Sequence, residues 1–372
     1  MKFTIEKNII LDALTNVTRA LSQKITIPVL SGIKFELKST GLTLLASDSE
    51  LTIRVEIPEI DIANIENEGD CIIYSKSILD IIRKMPSNTI QFEANEFKVK
   101  IFSNTNEYNL NCFELKDYPN FNIQESKESL KITSKDLKVA IDQTSYAMSL
   151  QEIRPLLTGT NILTTENDLC FVTTDSYRLS KKIITAERNL TDDINIVLPG
   201  RTMHELSKII TDDDSDVYMH FFNNKVVIMY NKITIQSNLL SGSFPETSHF
   251  IPEEFAYIIN LNLKLFYDAI DRASLLASNK DKNIIKFNIE DKEMLITSAS
   301  EEVGRTEEKI NIDSNKKEKI NISMNSKYLL DALKVIKEED ILFLINSEDK
   351  PIIIKGVSDE KLTGLILPIQ NF

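Results

Sequence analysis

Tryptophan is absent from this chain of 372 residues, and glycine (nine), histidine (three) and cysteine (three) are scarce. Each shortage closes a route. With so little glycine there is no G-x-x-x-x-G-K-[ST] and no G-x-G-x-x-G, which excludes a glycine loop cradling phosphate. His204, His220 and His249 stand near no cysteine and in no H-E-x-x-H spacing, so no metal centre is expected. Cys71, Cys112 and Cys170 sit in strand-like runs without pairing or ligand spacing and read as small core hydrophobes in a reducing compartment. No G-x-S-x-G elbow occurs. Nothing approaches 18 consecutive apolar residues, so no membrane span is expected. The opening Met1–Glu6 lacks the apolar core of a signal peptide, which predicts a cytoplasmic protein. No cofactor is expected either.

What is present is repetition. The runs Leu42–Val55, Leu169–Leu179 and Met294–Val303 each read as an apolar strand, a short polar tip and an outgoing stretch. Their tips at Asp48, Asp175 and Ala299 are spaced by 127 and 124 residues. A period of that length is a whole domain, since solenoid units run to roughly 20–50 residues. Two further elements keep the register. An amphipathic helix near the start of each third aligns Ala13, Ala140 and Ala269, and with them Leu14, Ile141 and Ile270. The same alignment superposes Val17, Thr144 and Ala273, then Leu21, Met148 and Ala277, all on one face. A second helix carries an acid at Asp80, Glu205 and Asp331, spaced by 125 and 126 residues.

Period-2 runs fill the intervals, so each third reads helix, strands, helix, strands. Two helices on one face of an antiparallel sheet make an α+β layer, three times over. Polar, proline-containing stretches at Tyr118–Ser129 and Phe244–Glu254 mark the junctions. The domains are therefore expected at 1–125, 126–250 and 251–372. The charged tract Asn311–Lys319 reads as an exposed turn.

The net charge of −13 argues against nucleic acid until it is mapped. The six helical segments together carry +5, which leaves −18 on the rest. Mildly basic helices on an acidic body suit a concave surface that tolerates a polyanion the remainder repels. A solvated helix face bearing a few lysines has the same composition. Among carboxylates, Asp48 and Asp175 stand at strand tips, but the third copy has Ala299; a turn-forming aspartate bonding its own backbone accounts for them better than catalysis. The cluster Asp212, Asp213, Asp214 and Asp216 lacks the glycine and distal glutamate of an EF-hand and reads as a solvated strand-to-strand turn. No active site is expected.

Met1–Glu6, Ile27–Gly32, Val172–Leu179, Phe244-Pro245 and Leu365–Ile369 resemble, in order and over the full length, the bacterial DNA polymerase III beta subunits, the sliding clamps. The resemblance implies three tandem DNA-clamp domains and a ring-forming head-to-tail homodimer of pseudo-sixfold symmetry that encircles double-stranded DNA without reading its sequence. Twelve inner helices packed about 10 Å apart give a circumference of roughly 120 Å and a hole of about 28 Å, wider than a duplex of about 20 Å. It implies a non-catalytic accessory subunit that tethers the replicative polymerase, the clamp loader and repair polymerases through short linear motifs.

The resemblance also implies site residues. The partner-peptide groove would use Leu157, Thr174, Tyr177, Arg178, Leu179, Pro245, Leu365, Leu367, Pro368 and Ile369, an apolar cleft with one arginine at its rim. Tyr177, Gln370, His249 and Phe250 depart from commoner family residues. Lys24, Lys76, Gln151, Arg201 and Lys208 match positions facing the hole, and helix register adds Arg83, Lys327 and Lys334. Pro155-Leu156 replaces two tyrosines of some relatives. At the seam, Tyr108 and Leu110 on an edge strand would meet Leu275 and Leu276 of the other protomer. Two other readings compete: a three-domain peptide-binding scaffold that never closes on DNA, and a metal-dependent hydrolase using Asp212–Asp216.

Overall fold

The structure is a computed structural model that describes residues 1–22, 27–104, 106–165, 168–277, 283–300 and 303–370. It comprises two compact units, one of Met1–Lys135, Glu187–Thr191 and Lys208–Leu239, the other of Asp136–Ala186, Asp192–Ser207 and Leu240–Phe372. The first third and the last third each fall in one unit, and the middle third contributes to both.

Among the described residues there are six α-helices: α1 (Lys7–Val17), α2 (Ser75–Lys84), α3 (Ser134–Thr144), α4 (Gly200–Ile209), α5 (Leu263–Ser274) and α6 (Ser326–Lys334). Each begins at the residue after a strand: Lys2–Glu6, Gly69–Tyr74, Ser129–Thr133, Asn195–Pro199, Tyr257–Asn262 and Ile320–Asn325. The repeating element is thus a strand running straight into a helix, twice per third. Apolar spacing explains the faces: α1 buries Ile10, Ala13, Leu14 and Val17, and α5 buries Phe266, Ala269, Ile270 and Ala273. Asn262 caps α5 by accepting from Leu265 N–H at 3.1 Å, and Asn325 caps α6 by accepting from Lys327 and Tyr328 N–H at 3.0 and 3.1 Å.

The helix alignment read from the sequence is right for its first three positions. Its fourth, Leu21, Met148 and Ala277, lies beyond the helix ends and is half-buried. Hydroxyls explain two of these early stops. Thr15 Oγ1 donates to Leu11 O at 2.7 Å, Thr144 Oγ1 to Ala140 O at 2.7 Å and Ser145 Oγ to Ile141 O at 2.6 Å. Such back-bonding competes for the last carbonyls, and each helix gives way to a tighter 3₁₀ turn, Thr18–Ala20 or Ser145–Ala147.

Every strand pairing among the described residues is antiparallel, and neighbouring thirds share sheets. In the first unit, Ile233–Asn238 of the middle third pairs with Leu51–Pro58 of the first, Ile233 opposite Val55, within a 14-stranded sheet. In the second unit, Arg178–Thr185 pairs with Leu362–Ile366, Arg178 opposite Ile366, within a nine-stranded sheet. A four-stranded sheet in the same unit ends on Gly304–Asn311. Aromatic residues anchor the cores: Phe3 stacks on Phe92 at 4.8 Å, and Phe266 meets Phe343 at 5.6 Å. Each such ring contributes about 1.5–3 kcal/mol by leaving water.

Two loop readings change. Asp313–Ser314 pairs with Asn260 and Ile259, so part of Asn311–Lys319 belongs to a sheet. The Asp212–Asp216 cluster joins α4 to a strand, not strand to strand. There Asp213 accepts from Ser134 Oγ at 2.8 Å, Ser215 N–H at 2.9 Å and Thr211 Oγ1, bonds that hold its carboxyl well below the usual carboxylate range. It ties the start of α3 to this turn. Cys71 and Cys170 are buried and Cys112 is half-buried, all as free thiols.

Candidate functional site

Two hairpin tips occupy equivalent places in the first and middle thirds. Asp48 Oδ1 accepts from Glu50 N–H at 3.1 Å and Leu51 N–H at 2.9 Å; Asp175 Oδ1 accepts from Tyr177 N–H at 2.9 Å and Arg178 N–H at 3.0 Å. Between them Ser49 and Ser176 take the left-handed φ of 83° and 80°. In both tips one carboxylate oxygen closes the turn.

Around the second tip lies a groove of about 650 Å³, built wholly within the second unit. The tip supplies Thr174, Ser176, Tyr177, Arg178 and Leu179. The strand paired with it supplies Leu365 and, just past its end, Leu367. A 3₁₀ turn, Pro155–Thr158, supplies Pro155, Leu156 and Leu157, and the irregular segment after Leu240 supplies Ser241, Ser243, Pro245, Thr247 and Phe250. Gly242, at φ 127°, lets that segment approach; a Cβ there would stand 2.9 Å from Leu156 Cδ1. Leu157, Leu179 and Leu365 are buried in the floor, while Tyr177 (62% exposed), Phe250 (48%) and Leu367 (37%) stand open at the mouth. An apolar trough with exposed rings at its lip is chemically suited to a short peptide bearing leucine and an aromatic residue.

Eight of the ten groove residues expected from the sequence line this cavity. Pro368 and Ile369 do not, because the chain turns away after Leu367 and Ile369 N–H donates to Ser323 O at 2.7 Å. Arg154, Leu156 and Phe250 also line the groove and are not among the residues expected from the sequence; the signal that points to them is the pairs Pro155-Leu156 and His249-Phe250, which the resemblance sets apart.

Arg178 requires a correction. It is 9% exposed, not a rim charge. Its Nε donates to Asp175 Oδ2 at 3.0 Å and its Nη1 to Asp331 Oδ2 of α6 at 2.7 Å. Its guanidinium lies 4.4 Å from the Tyr328 ring and 5.6 Å from the Tyr146 ring. Burial pushes the Tyr146 phenol up to about 12. The cation exposed in the groove lining is Arg154, whose Nη1 donates to Ser176 Oγ at 3.1 Å.

The expected DNA-facing residues are exposed where they are described. Lys76 and Arg83 lie on α2, Arg201 and Lys208 on α4, and Lys327 and Lys334 on α6. In each helix the two are seven residues apart, two turns, so they share one face. Gln151 is exposed in the loop before Pro155, and Lys24 lies outside the described residues. Arg83 Nη1 is partly engaged by Asp80 Oδ1 at 3.2 Å.

Tyr108 and Leu110 are half-buried on Glu107–Phe113. That strand is not a simple edge. It pairs with Lys98–Phe102 along Glu107–Asn111 and, on its other side, only Cys112 and Phe113 pair with Ile73 and Ile72. Among the described residues this leaves the lateral edge of Glu107–Asn111 without a partner strand. Gly304–Asn311 is likewise paired on one side. Leu275 is 79% exposed and Leu276 half-buried, just past α5. Arg272 braces α5 against Gly304–Asn311 through two bonds to Glu308, at 3.0 and 2.7 Å, which lower the Glu308 carboxyl below its ordinary range.

Family models of the DNA polymerase III beta subunit match the chain as its N-terminal domain over residues 1–124, its central domain over 131–246 and its C-terminal domain over 248–370. The chain is 34% identical to the beta sliding clamp of Staphylococcus aureus over 377 residues, covering all of both proteins. Among solved structures it resembles the DNA polymerase sliding clamp of Bacillus subtilis, at a TM-score of 0.96 and 33% identity with full coverage of both chains. It also resembles the DNA polymerase III beta chain of Streptococcus pneumoniae, at 0.94 and 31%, again with full coverage of both. The chain, three tandem α+β clamp domains, therefore belongs to the DNA polymerase III beta subunit family, the sliding clamps, and is a non-catalytic processivity factor.

Proposed function

We propose that two copies of this chain close head to tail into a ring around duplex DNA, and that the groove beside Tyr177 takes the short linear motifs of the replicative polymerase, the clamp loader and repair polymerases. The observation that carries the DNA part is the pairing of cations at seven-residue spacing on α2, α4 and α6. Lys76 with Arg83, Arg201 with Lys208 and Lys327 with Lys334 make basic faces on a protein of net charge −13. Strong sequence-reading contacts would hold the protein in place, whereas a few phosphate contacts on an otherwise repelling body leave it free to slide.

Tyr108, Leu110, Leu275 and Leu276 form the proposed seam. The unpartnered edges of Glu107–Asn111 and Gly304–Asn311 and the exposed Leu275 support it, because free edges and bare leucines are what a second subunit covers. The domain limits 1–125, 126–250 and 251–372 belong to the same reading, as does a cytoplasmic setting; among the described residues no helix is long and apolar enough to cross a membrane. Retention on nicked circular DNA with loss after linearisation tests the ring, because only topological binding depends on the absence of ends.

A further inference from the structure

The hairpin tip at Asp175 carries an attachment that its twin at Asp48 lacks. Both tips make the same two aspartate bonds and the same left-handed serine, and a hydroxyl two residues before each serine accepts that serine's N–H: Ser47 Oγ at 3.0 Å and Thr174 Oγ1 at 3.1 Å. The turn therefore forms without further help. At the position after the turn, however, the first third has Leu51 and the middle third has Arg178. Arg178 reaches Asp331 on α6, and Tyr328 of the same helix lies 4.4 Å from the guanidinium and stacks on Tyr177 with ring centroids 6.5 Å apart.

Burying an arginine with two carboxylates costs desolvation that a leucine at this place would avoid. Of the two tips, only the one that forms the groove wall carries that cost. We propose that Asp331 is a positioning residue for the groove: through Arg178, and with Tyr328 packed over both, it holds the Ser176-Tyr177 tip at the groove mouth, so that Tyr177 is presented as a fixed wall. Asp331 does not line the groove. The inference rests on the groove reading above and deepens it, because it moves part of the peptide specificity onto a helix outside the cavity.

The test uses the full chain and a fluorescein-labelled synthetic decapeptide ending in Leu-Phe, read by fluorescence anisotropy, with Leu157→Arg as the groove control. Asp331→Asn keeps the shape and removes one of the two carboxylates that neutralise Arg178. It is expected to weaken the peptide about tenfold. In a cycle with Tyr177→Ala, the double variant is expected to bind within about twofold of Tyr177→Ala alone, because both changes remove the same wall. Additive losses would overturn the proposal, as general destabilisation adds and loss of one shared wall does not. So would Asp331→Asn binding within twofold of the parent while Leu157→Arg abolishes binding, an outcome that leaves the groove itself intact. A parent protein that ignores the peptide, or a Leu157→Arg variant that binds like it, overturns the groove reading and this inference together. If Asp331→Asn does not melt cooperatively, Tyr328→Leu, which removes both ring contacts and leaves α6 filled, is judged by the same outcomes.

Discussion

Leu367 N–H donates to Tyr177 O at 2.8 Å, joining the last strand of the chain to the hairpin tip of its middle third. The bond continues a ladder in which Arg178 faces Ile366 and Leu179 faces Leu365. One groove thus draws its floor from residues nearly two hundred positions apart. Partner binding on this account is a property of that junction, and the isolated repeats do not contain it.

The floor is the first place to strike. Leu157 is 5% exposed, and Leu157→Arg would set a charge in an apolar trough. Affinity for a peptide ending in Leu-Phe is expected to fall at least about a hundredfold, measured by anisotropy. Undiminished binding would place the peptide elsewhere.

The seam gives a second expectation. Leu275 is 79% exposed, and covering a leucine side chain with a second subunit is worth about 2 kcal/mol of apolar burial. Leu275→Asp is expected to shift sedimentation equilibrium from dimer toward monomer by about thirtyfold or more in dissociation constant. A variant that remains as dimeric as the parent would remove Leu275 from the interface.

Lys76 and Arg83 share a face of α2 but not an environment, since Arg83 is partly engaged by Asp80. Lys76→Ala is expected to weaken binding to a short duplex at low salt and to reduce the salt slope by about one ion. Arg83→Ala is expected to do less of both. The reverse order in a salt titration would contradict the assignment of that face.

Asp213 gives a pH-dependent expectation. Its carboxyl is held low by Thr211, Ser215 and Ser134, so its contribution is present above the unfolded value, about 3.9, and is lost as pH falls through the folded value. Asp213→Asn is expected to lower the melting temperature by about 1–2 °C at pH 7. The gap should persist to about pH 4 and close below it. A gap that grows toward acid would reverse the sign and refute the role. Peptide and DNA binding are expected to survive the change, whereas the hydrolase reading requires an activity to disappear.

The parts legible in the sequence were those governed by short-range periodicity. Ala13, Leu14 and Val17 repeat a helical spacing that α3 and α5 repeat again, so the faces and the triplication could be read directly. The two tip aspartates were legible because an Asx turn is a four-residue event. Arg178 was not, because its neutralisation depends on Asp331, 153 positions away on another element. Pro368 and Ile369 stand outside the lining of this cavity for a related reason. They continue a strand that lines the groove, but the backbone leaves it at Leu367, and no local residue pattern records where a strand's last residue turns. Phe250 and Leu156 were not legible because each reaches the groove through tertiary packing, one in the segment after Leu240 and the other in the Pro155–Thr158 turn, both brought beside the Asp175 tip.

The central claim is topological, and the most direct test is retention on circular DNA. The protein, loaded on a nicked circle and freed of weak binders by salt, is expected to stay through gel filtration. It should be lost once the circle is cut and retained again when bulky proteins block both ends. Equal retention on circular and linear DNA, or equal loss from both, would contradict an encircling clamp.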